Sequence, residues 1–275
     1  MQENHMNLFF PQWQGAGRTK ELLTGAWEIR DQYIKVQDYI SVPVSEEENT
    51  QIENGILGYR DIFKQLKQAK AIIAAENPSS IFTVGGGCDV EIVTVSHLND
   101  LFNEDLTVVW IDAHGDLNTP ESSPSKCFHG MPLRTLLADG NPQMVETAFS
   151  KLSPSQLVMI GQRDLDVPEQ DYIEESNIDV IGPGDFSIER AISAIKSKGS
   201  NNLYIHIDLD VLDFDEFPYV MVPSPDGLKT DQLLELLAQL KQEFHIVGLS
   251  LLEYTSSEKK EIKILSDIIR MGEGL

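Results

Sequence analysis

The chain is expected to be an α/β protein, a three-layer α/β/α fold around a mostly parallel, doubly wound sheet. Three observations predict this. Short apolar, β-branched runs recur along the sequence and read as buried strands. Segments of helical periodicity separate them, and strands that alternate with helices pair in parallel with both faces covered. Five of the runs end in polar clusters: Gly85 to Asp89, Asp112 to Asp116, Arg163 to Glu169, Asp208 to Asp210, and Glu253. Such sheets bind ligands outside the carboxyl ends of their strands, so five loaded ends on one rim mark a site.

The first fifty residues carry the weakest signals. Leu8 to Trp13 sets apolar and aromatic residues among glycine and proline, and Glu21 to Arg30 reads as a short helix. Tyr33 to Val44 partly alternates and reads as a strand, ahead of the acidic linker Ser45 to Glu48. From Ile52 the pattern turns helical, with Ile52, Ile56, Phe63 and Leu66 on one stripe and Ile62, Ala69 and Ile73 beside it. Pro78 ends it. Ser80 to Val84 is an apolar strand broken by Gly85-Gly86-Gly87-Cys88-Asp89, whose glycines allow a sharp turn and a close backbone approach.

A helix over Val90 to Phe102 leads to the strand Thr107 to Ile111. A loop rich in serine and proline, Asn118 to His129, precedes a helix from Met131 to Ala138. Gln156 to Ile160 and Ile178 to Ile181 are strands, and Ser187 to Lys198 is a helix closed by Gly199. Leu203 to Asp210 is a strand ending in carboxylates, Asp231 to Phe244 an amphipathic helix, His245 to Leu252 a strand, and Glu258 to Met271 a last helix. With no repeat and no linker of domain type, residues 1–275 read as one domain.

A chain of 275 residues can bury a substantial core. Its formal charge of −23, with no basic patch, argues against nucleic acid or an anionic membrane as partner. No run of about 18 apolar residues predicts a membrane span. Cys88 and Cys127 give no disulfide framework, and with nothing resembling a signal peptide the expected location is cytoplasmic.

Asp112, His114 and Asp116 recur at every second position. In an extended segment such side chains share one side, so the three are expected to converge just past a strand end. Two carboxylates and an imidazole packed together need a cation to offset desolvation and repulsion. Asp208 and Asp210 follow the same rule and can join them. Four carboxylates and one imidazole supply enough ligands for two divalent ions, and hard oxygen donors with one nitrogen suit Mn²⁺, then Mg²⁺, Fe²⁺ or Zn²⁺. A metal pair lowers the pKa of a bridging water and yields hydroxide near neutral pH. The plain alternative is a set of capping and turn aspartates. His206, on the same side of its strand as Asp208, reads as a satisfied core histidine or as a partner behind a ligand.

The runs Asp112-Ala113-His114-Gly115-Asp116-Leu117-Asn118-Thr119, His129-Gly130-Met131-Pro132-Leu133 and Asp208-Leu209-Asp210-Val211-Leu212-Asp213 together resemble the ureohydrolase superfamily. That superfamily comprises arginase, agmatinase and formimidoylglutamase, and the likeness spans about Gly85 to Glu253, nearest to arginase-like members. It implies a doubly wound parallel sheet, two divalent ions of the Mn²⁺ kind, and hydrolysis of a linear guanidino or formimino C–N bond by bridging hydroxide. The implied substrate is arginine or a related guanidino or formimino amino acid. By position, the resemblance makes Asp112 and Asp208 bridging ligands, completes the first metal's shell with Asp116, which also holds the hydroxide, and completes the second with His114 and Asp210. His129 falls at the proton-shuttle histidine, a role that suits an imidazole. Glu253 falls at the carboxylate that holds the guanidinium. Asn118, Ser125, Asp166 and Glu169 fall where arginases recognise the α-carboxylate and α-amino groups. A homo-oligomer, trimer or hexamer, is implied as well.

The chain departs from the family pattern at three places. The family's glycine loop ends in Asp-His, and that histidine binds the first metal, but here the two positions are Gly87 and Cys88. A Cys88 thiolate is a softer ligand and favours Zn²⁺ or Fe²⁺ over Mn²⁺. A Cys88 that stays a buried thiol leaves the first metal weakened or lost. Cys127 replaces the asparagine of the Ser-x-Asn-x-His-Gly run and removes one hydrogen-bond partner for an amino-acid carboxylate. Phe214 to Gly227 departs from the usual Asp-Pro continuation and Gly-Thr-Pro turn. These changes motivate a second reading, a metal-poor, non-catalytic homologue acting as a binding or regulatory protein.

Overall fold

The apolar runs become strands because one sheet buries them on both faces. The computed structural model describes residues 4–36, 38–48 and 51–275. In chain order its strands are β1 (His5–Phe10), β2 (Tyr39–Ser41), β3 (Ile52–Glu53), β4 (Ile56–Leu57), β5 (Ser80–Gly85), β6 (Thr107–Ile111), β7 (Leu157–Ile160), β8 (Asp179–Ile181), β9 (Asn202–Ile207) and β10 (His245–Leu251). Eight of them form a sheet in the order β2-β1-β5-β10-β9-β6-β7-β8, and every pairing in it is parallel. The five strands with polar ends, β5, β10, β9, β6 and β7, are therefore consecutive neighbours. Their carboxyl ends form one continuous rim, as such sheets use for ligands.

The helices are α1 (Glu21–Gln32), α2 (Tyr59–Glu76), α3 (Glu91–Leu101), α4 (Pro132–Leu136), α5 (Pro142–Val145), α6 (Val167–Ser176), α7 (Ile188–Ser197), α8 (Thr230–Glu243) and α9 (Lys263–Gly272). Successive strand residues point to opposite faces. Val109, Ile111, Ile205 and Ile207 pack with α1, α7, α8 and α9. Val108, Trp110 and Tyr204 pack with α2, α3, α4 and α5 on the other side. The result is the three-layer α/β/α architecture.

Several element boundaries differ from expectation, each for a local reason. The first apolar segment is a full strand, β1, which starts at His5 and hydrogen-bonds between β2 and β5. The strand expected over Tyr33 to Val44 shrinks to Tyr39–Ser41. Helix α1 runs on to Gln32, and the amide of Tyr33 still donates to Ile29 O at 2.9 Å. Gln37, inside that expected strand, lies outside the described residues, as do residues 1–3, Asn49 and Thr50. The helix expected from Ile52 begins only at Tyr59. Before it, Asn54 and Gly55 take φ of 52° and 74° and turn β3 back on β4 as a hairpin. Ile56 is buried there while Ile52 is exposed. The last helix starts at Lys263 rather than Glu258, because Glu258 and Lys259 adopt φ of 57° and 69°.

At the end of β5 the glycine loop does what three glycines permit. A Cβ on Gly86 would lie 1.7 Å from the carbonyl oxygen of Gln12, so only glycine lets the segment after β1 close over the loop. Among the described residues no helix is long and apolar enough to cross a membrane.

Candidate active site

The candidate ligand residues converge, but through turns rather than strand continuation. Strand β6 stops at Ile111. The Asp112 carboxylate then accepts the His114 amide at 2.7 Å, and Asp208 likewise accepts the Asp210 amide at 2.8 Å. Each is an aspartate folding back on the chain two residues on. Asp116 completes the turn with φ of 54°. His114 Nδ1 lies 2.9 Å from Asp210 Oδ2 and 3.6 Å from Asp112 Oδ1, and Asp210 Oδ1 accepts the Ala113 amide at 3.1 Å.

Three groups of side chains bring candidate ligand atoms within 4.8 Å of one another. They are Cys88, Asp112, Asp116 and His206; Asp112, His114 and Asp210; and Cys88, Asp208 and Glu253. Asp112 joins the first two groups, and Cys88 joins the first and third. Every metal-ligand residue anticipated from sequence is in at least one group. His206 and Glu253 are additions.

The electrostatics show groups packed closer than their charges tolerate. Burial and Asp112 push the Asp116 carboxyl well above the usual range, and burial with Asp210 does the same to Asp208. Burial and Asp112 raise Asp210 to about 6. Asp112 goes the other way: His114 and His206 outweigh its burial and hold it low. Burial disfavours the His114 cation, but Asp210 and Asp112 win and raise its pKa. Burial and the surrounding carboxylates push the Cys88 thiol well up. His114 Nε2, His206 Nε2 and Asp116 Oδ2 are buried without hydrogen-bond partners. His114 Nε2 lies 3.7 Å from Asp164, on the side away from Asp112 and Asp210. The unpartnered atoms of His206 and Asp116, by contrast, belong to residues grouped with Cys88 and Asp112 and fit a divalent cation, which would satisfy them and neutralise the repulsion.

His206 is a core histidine with a hydrogen bond at one ring nitrogen only. Its ring is fully buried and stacks on Trp110, with centroids 3.6 Å apart and planes at 12°. Nδ1 lies 2.9 Å from Glu91 Oε1, while Nε2 stands 3.5 Å from Asp112 Oδ2 without a hydrogen bond. Glu91 is itself buried and accepts from Thr94 Oγ1 at 2.7 Å and from the hydroxyls of Tyr204 and Ser250. Trp110 Nε1 donates to Asp112 Oδ2 at 3.1 Å. Sequence reasoning had a signal for His206, its shared strand face with Asp208, but none for Glu91, which reads as a helix-opening acid.

Above the carboxylates lies a cavity of about 360 Å³. His114, Asp116, His129, Asp208 and Asp210 line it, together with all of Asn118, Ser125, Asp166 and Glu169. Asn118 Nδ2 donates to Asp166 Oδ2 at 2.9 Å. Glu169 spends its carboxylate on the amides of Leu117 and Asp166, both at 2.9 Å, and burial raises it to about 7. Ser125 Oγ accepts the Cys127 amide at 3.2 Å, and Cys127 lines the same wall. Asp112, Cys88 and Glu253 are buried and do not line the cavity.

Glu253 is held at φ of 60°, a conformation that costs a non-glycine residue energy and that clusters at functional sites. Its Oε1 lies 3.0 Å from His129 Nδ1 and accepts the Cys88 amide at 3.2 Å. Burial lowers the His129 pKa, but Glu253 outweighs it and the net shift is upward. Arg163, grouped by sequence with the polar strand end, braces the rim. Its guanidinium donates to the carbonyls of Asp210 at 2.7 Å, Pro225 at 2.7 Å and Ser224 at 2.9 Å, and to those of Gly161, Val211 and Leu212.

Comparison with known proteins follows the same lines. The model of the arginase family matches residues 16–264. The arginase of Staphylococcus aureus (strain MRSA252) is 33% identical over 210 residues, which cover 73% of this chain and 69% of that one. The arginase of Schizosaccharomyces pombe is 28% identical over 249 residues, 86% of this chain and 76% of the other. Among solved structures, the Entamoeba histolytica arginase in complex with L-ornithine matches with a TM-score of 0.87 at 22% identity, covering 100% of both chains. The formimidoylglutamase from Bacillus subtilis matches with a TM-score of 0.69 at 17% identity, covering 98% and 84%.

Proposed function

The chain belongs to the arginase family and is a hydrolase of C–N bonds in linear amidines, and from that premise we propose that it hydrolyses the guanidino group of arginine or of a related guanidino or formimino amino acid. One observation carries the reading. A carboxylate cluster, in which His114 Nδ1 lies 2.9 Å from Asp210 and Asp116 keeps a buried, unpartnered oxygen, forms the floor of a cavity whose wall carries Asn118, Ser125, Asp166 and Glu169. That wall offers donors for a carboxylate and acceptors for an ammonium group, the two ends of an amino acid.

In this reading Asp112, Asp208, Asp116, His114 and Asp210 hold two divalent ions, Mn²⁺ foremost, with Cys88 at the first. Bound there, such ions supply Lewis acidity and acidify water. His129, at the cavity wall, carries a proton to the departing amine, and Glu253 holds the imidazole and its charge at 3.0 Å. The guanidinium-holding role that resemblance gives Glu253 requires that carboxylate to exchange His129 for the substrate. Asp166 stays placed because Asn118 and Glu169 each bind part of it. The protein is read as cytoplasmic, homo-oligomeric and one domain over residues 1–275. The metal-poor regulatory alternative is not favoured, since the relatives named above are arginases.

The test is release of urea or formamide by purified protein from a panel containing arginine, other guanidino acids and a formimino amino acid. Turnover with Mn²⁺ that chelation abolishes is the expected result. Metal-loaded protein that turns over no member of the panel would overturn the substrate class.

A further inference from the structure

The glycine loop lacks the histidine that the first metal takes in the resembling family, yet the structure supplies an imidazole from another strand. We propose that His206, from β9, serves with Cys88, Asp112 and Asp116 as a ligand of the first metal, making it a mixed thiolate, imidazole and carboxylate site that prefers Co²⁺, Zn²⁺ or Fe²⁺ to Mn²⁺. The inference rests on the metallohydrolase reading above and deepens it.

Four observations support it. One ligand atom from each of the four residues lies within 4.8 Å of those of the other three, and all four residues are buried. His206 Nε2 has no hydrogen-bond partner although the ring has no solvent exposure. Glu91 accepts at Nδ1, which fixes the tautomer that leaves the Nε2 lone pair free for a cation. Carboxylate, histidine and metal in series is the usual way proteins orient an imidazole ligand. The orienting group is itself anchored, because Glu91 is held by Thr94, Tyr204 and Ser250. Trp110 fixes the ring plane by stacking.

A histidine kept only to neutralise Glu91 would need Nδ1 alone; here Nε2 also faces Asp112, at 3.5 Å, in the group that holds Asp116 and Cys88. The metal preference follows from the donors. Thiolate and imidazole suit borderline ions, whereas Asp112, His114 and Asp210 form a harder set suited to Mn²⁺. Metal entry releases the proton of the Cys88 thiol to solvent, as ligation requires a deprotonated donor.

Cobalt titration tests this without reference to turnover. Wild-type protein, stripped by chelator and dialysed, is titrated with Co²⁺ and followed by elemental analysis and by the near-ultraviolet sulfur-to-cobalt charge-transfer band. Expected are two equivalents of cobalt, a band that Cys88→Ser abolishes, and competition by Mn²⁺ for one equivalent only. His206→Asn should weaken the thiolate-linked site by about 100-fold or more, and Glu91→Gln by about 10- to 100-fold, the range for an orienting partner. Should His206→Asn fail to fold, as judged by circular dichroism, Glu91→Gln decides. Two equivalents without the band, or unchanged cobalt affinity in the variants, overturns the assignment and leaves the hydrolase reading standing. Folded wild type that takes up no cobalt overturns both.

Discussion

His129 Nδ1 and Glu253 Oε1 lie 3.0 Å apart, and this contact joins an imidazole of the cavity wall to a carboxylate on the end of β10. Glu253 raises the His129 pKa above its ordinary 6.5 against the effect of burial, so the imidazole keeps its proton to higher pH. Replacing Glu253 by Gln removes the raising charge and leaves burial, so the alkaline limb of the kcat profile should move to lower pH. His129→Asn should lower kcat by about 10²- to 10⁴-fold, the usual worth of a positioned acid or base. A full pH–rate profile of both variants checks this. A Glu253→Gln profile that superimposes on wild type would rule out the coupling.

Arg163 should behave as a brace rather than a substrate contact. Its planar fork reaches carbonyls of the turn after β9 and of Ser224 and Pro225 at once. A lysine ammonium is a point donor and cannot span them. Arg163→Lys is expected to cost about 1.5–3 kcal/mol, the range for hydrogen bonds to a charged group. It should also reduce metal content, since Asp210 sits on the released turn. Thermal melts and elemental analysis check both parts, and unchanged metal content would separate brace from site.

Glu28 ties α1 to the segment that follows Glu253. Its carboxylate accepts from Tyr254 Oη at 2.7 Å, from Ser257 Oγ at 2.8 Å and N at 3.1 Å, from Lys259 N at 3.3 Å, and from Ser256 Oγ. Burial raises its pKa, but these donors prevail and bring it below the ordinary 4.5. A depressed acid stabilises the fold above its unfolded pKa and ceases to as pH falls through the folded one. Glu28→Gln should therefore lower Tm at neutral pH, with a gap to wild type that closes once pH drops below 4.5. Melts across that range decide it, and a gap independent of pH would contradict the charge argument.

Asp89 should show the opposite sign. It is fully buried, its carboxylate oxygens lack partners, and burial and Glu253 raise it from 3.8 to about 7. A raised acid costs nothing while protonated; its penalty grows as pH exceeds the unfolded value and is complete above the folded one. Asp89→Asn should raise Tm above pH 7 and change it little below pH 3.8. Equal effects at both ends of the range would show that the carboxylate is stabilised by something other than its proton.

Much of the rim was legible because strand ends announce themselves. Thr107 to Ile111 read as buried strand, and Asp112, His114 and Asp116 followed it at a spacing that brought them together, though by a turn and not by pleating. The hidden parts depend on contacts between distant segments. Nothing near His206 in the chain reveals that Glu91, on α3, will take its Nδ1, or that Trp110 will lie flat against it. Ile52 misled because a hairpin at Asn54-Gly55 and an apolar helix share spacings over a few residues. Glu253 was visible as a lone acid, but its bond to His129 needed the loop before α4 to fold back over β10.

The Trp110 stack has a spectroscopic consequence. The chain has three tryptophans. Trp13 bonds to the carbonyl of Ser45 and Trp27 sits half exposed beside Arg30. Trp110 alone places its indole face on His206 and its N–H on Asp112. Whatever changes the charge of that imidazole or the electron density of that carboxylate changes the excited state of the indole. The protein thus carries an internal fluorophore wired to the floor of its cavity, and its emission reads the state of that floor without label or substrate.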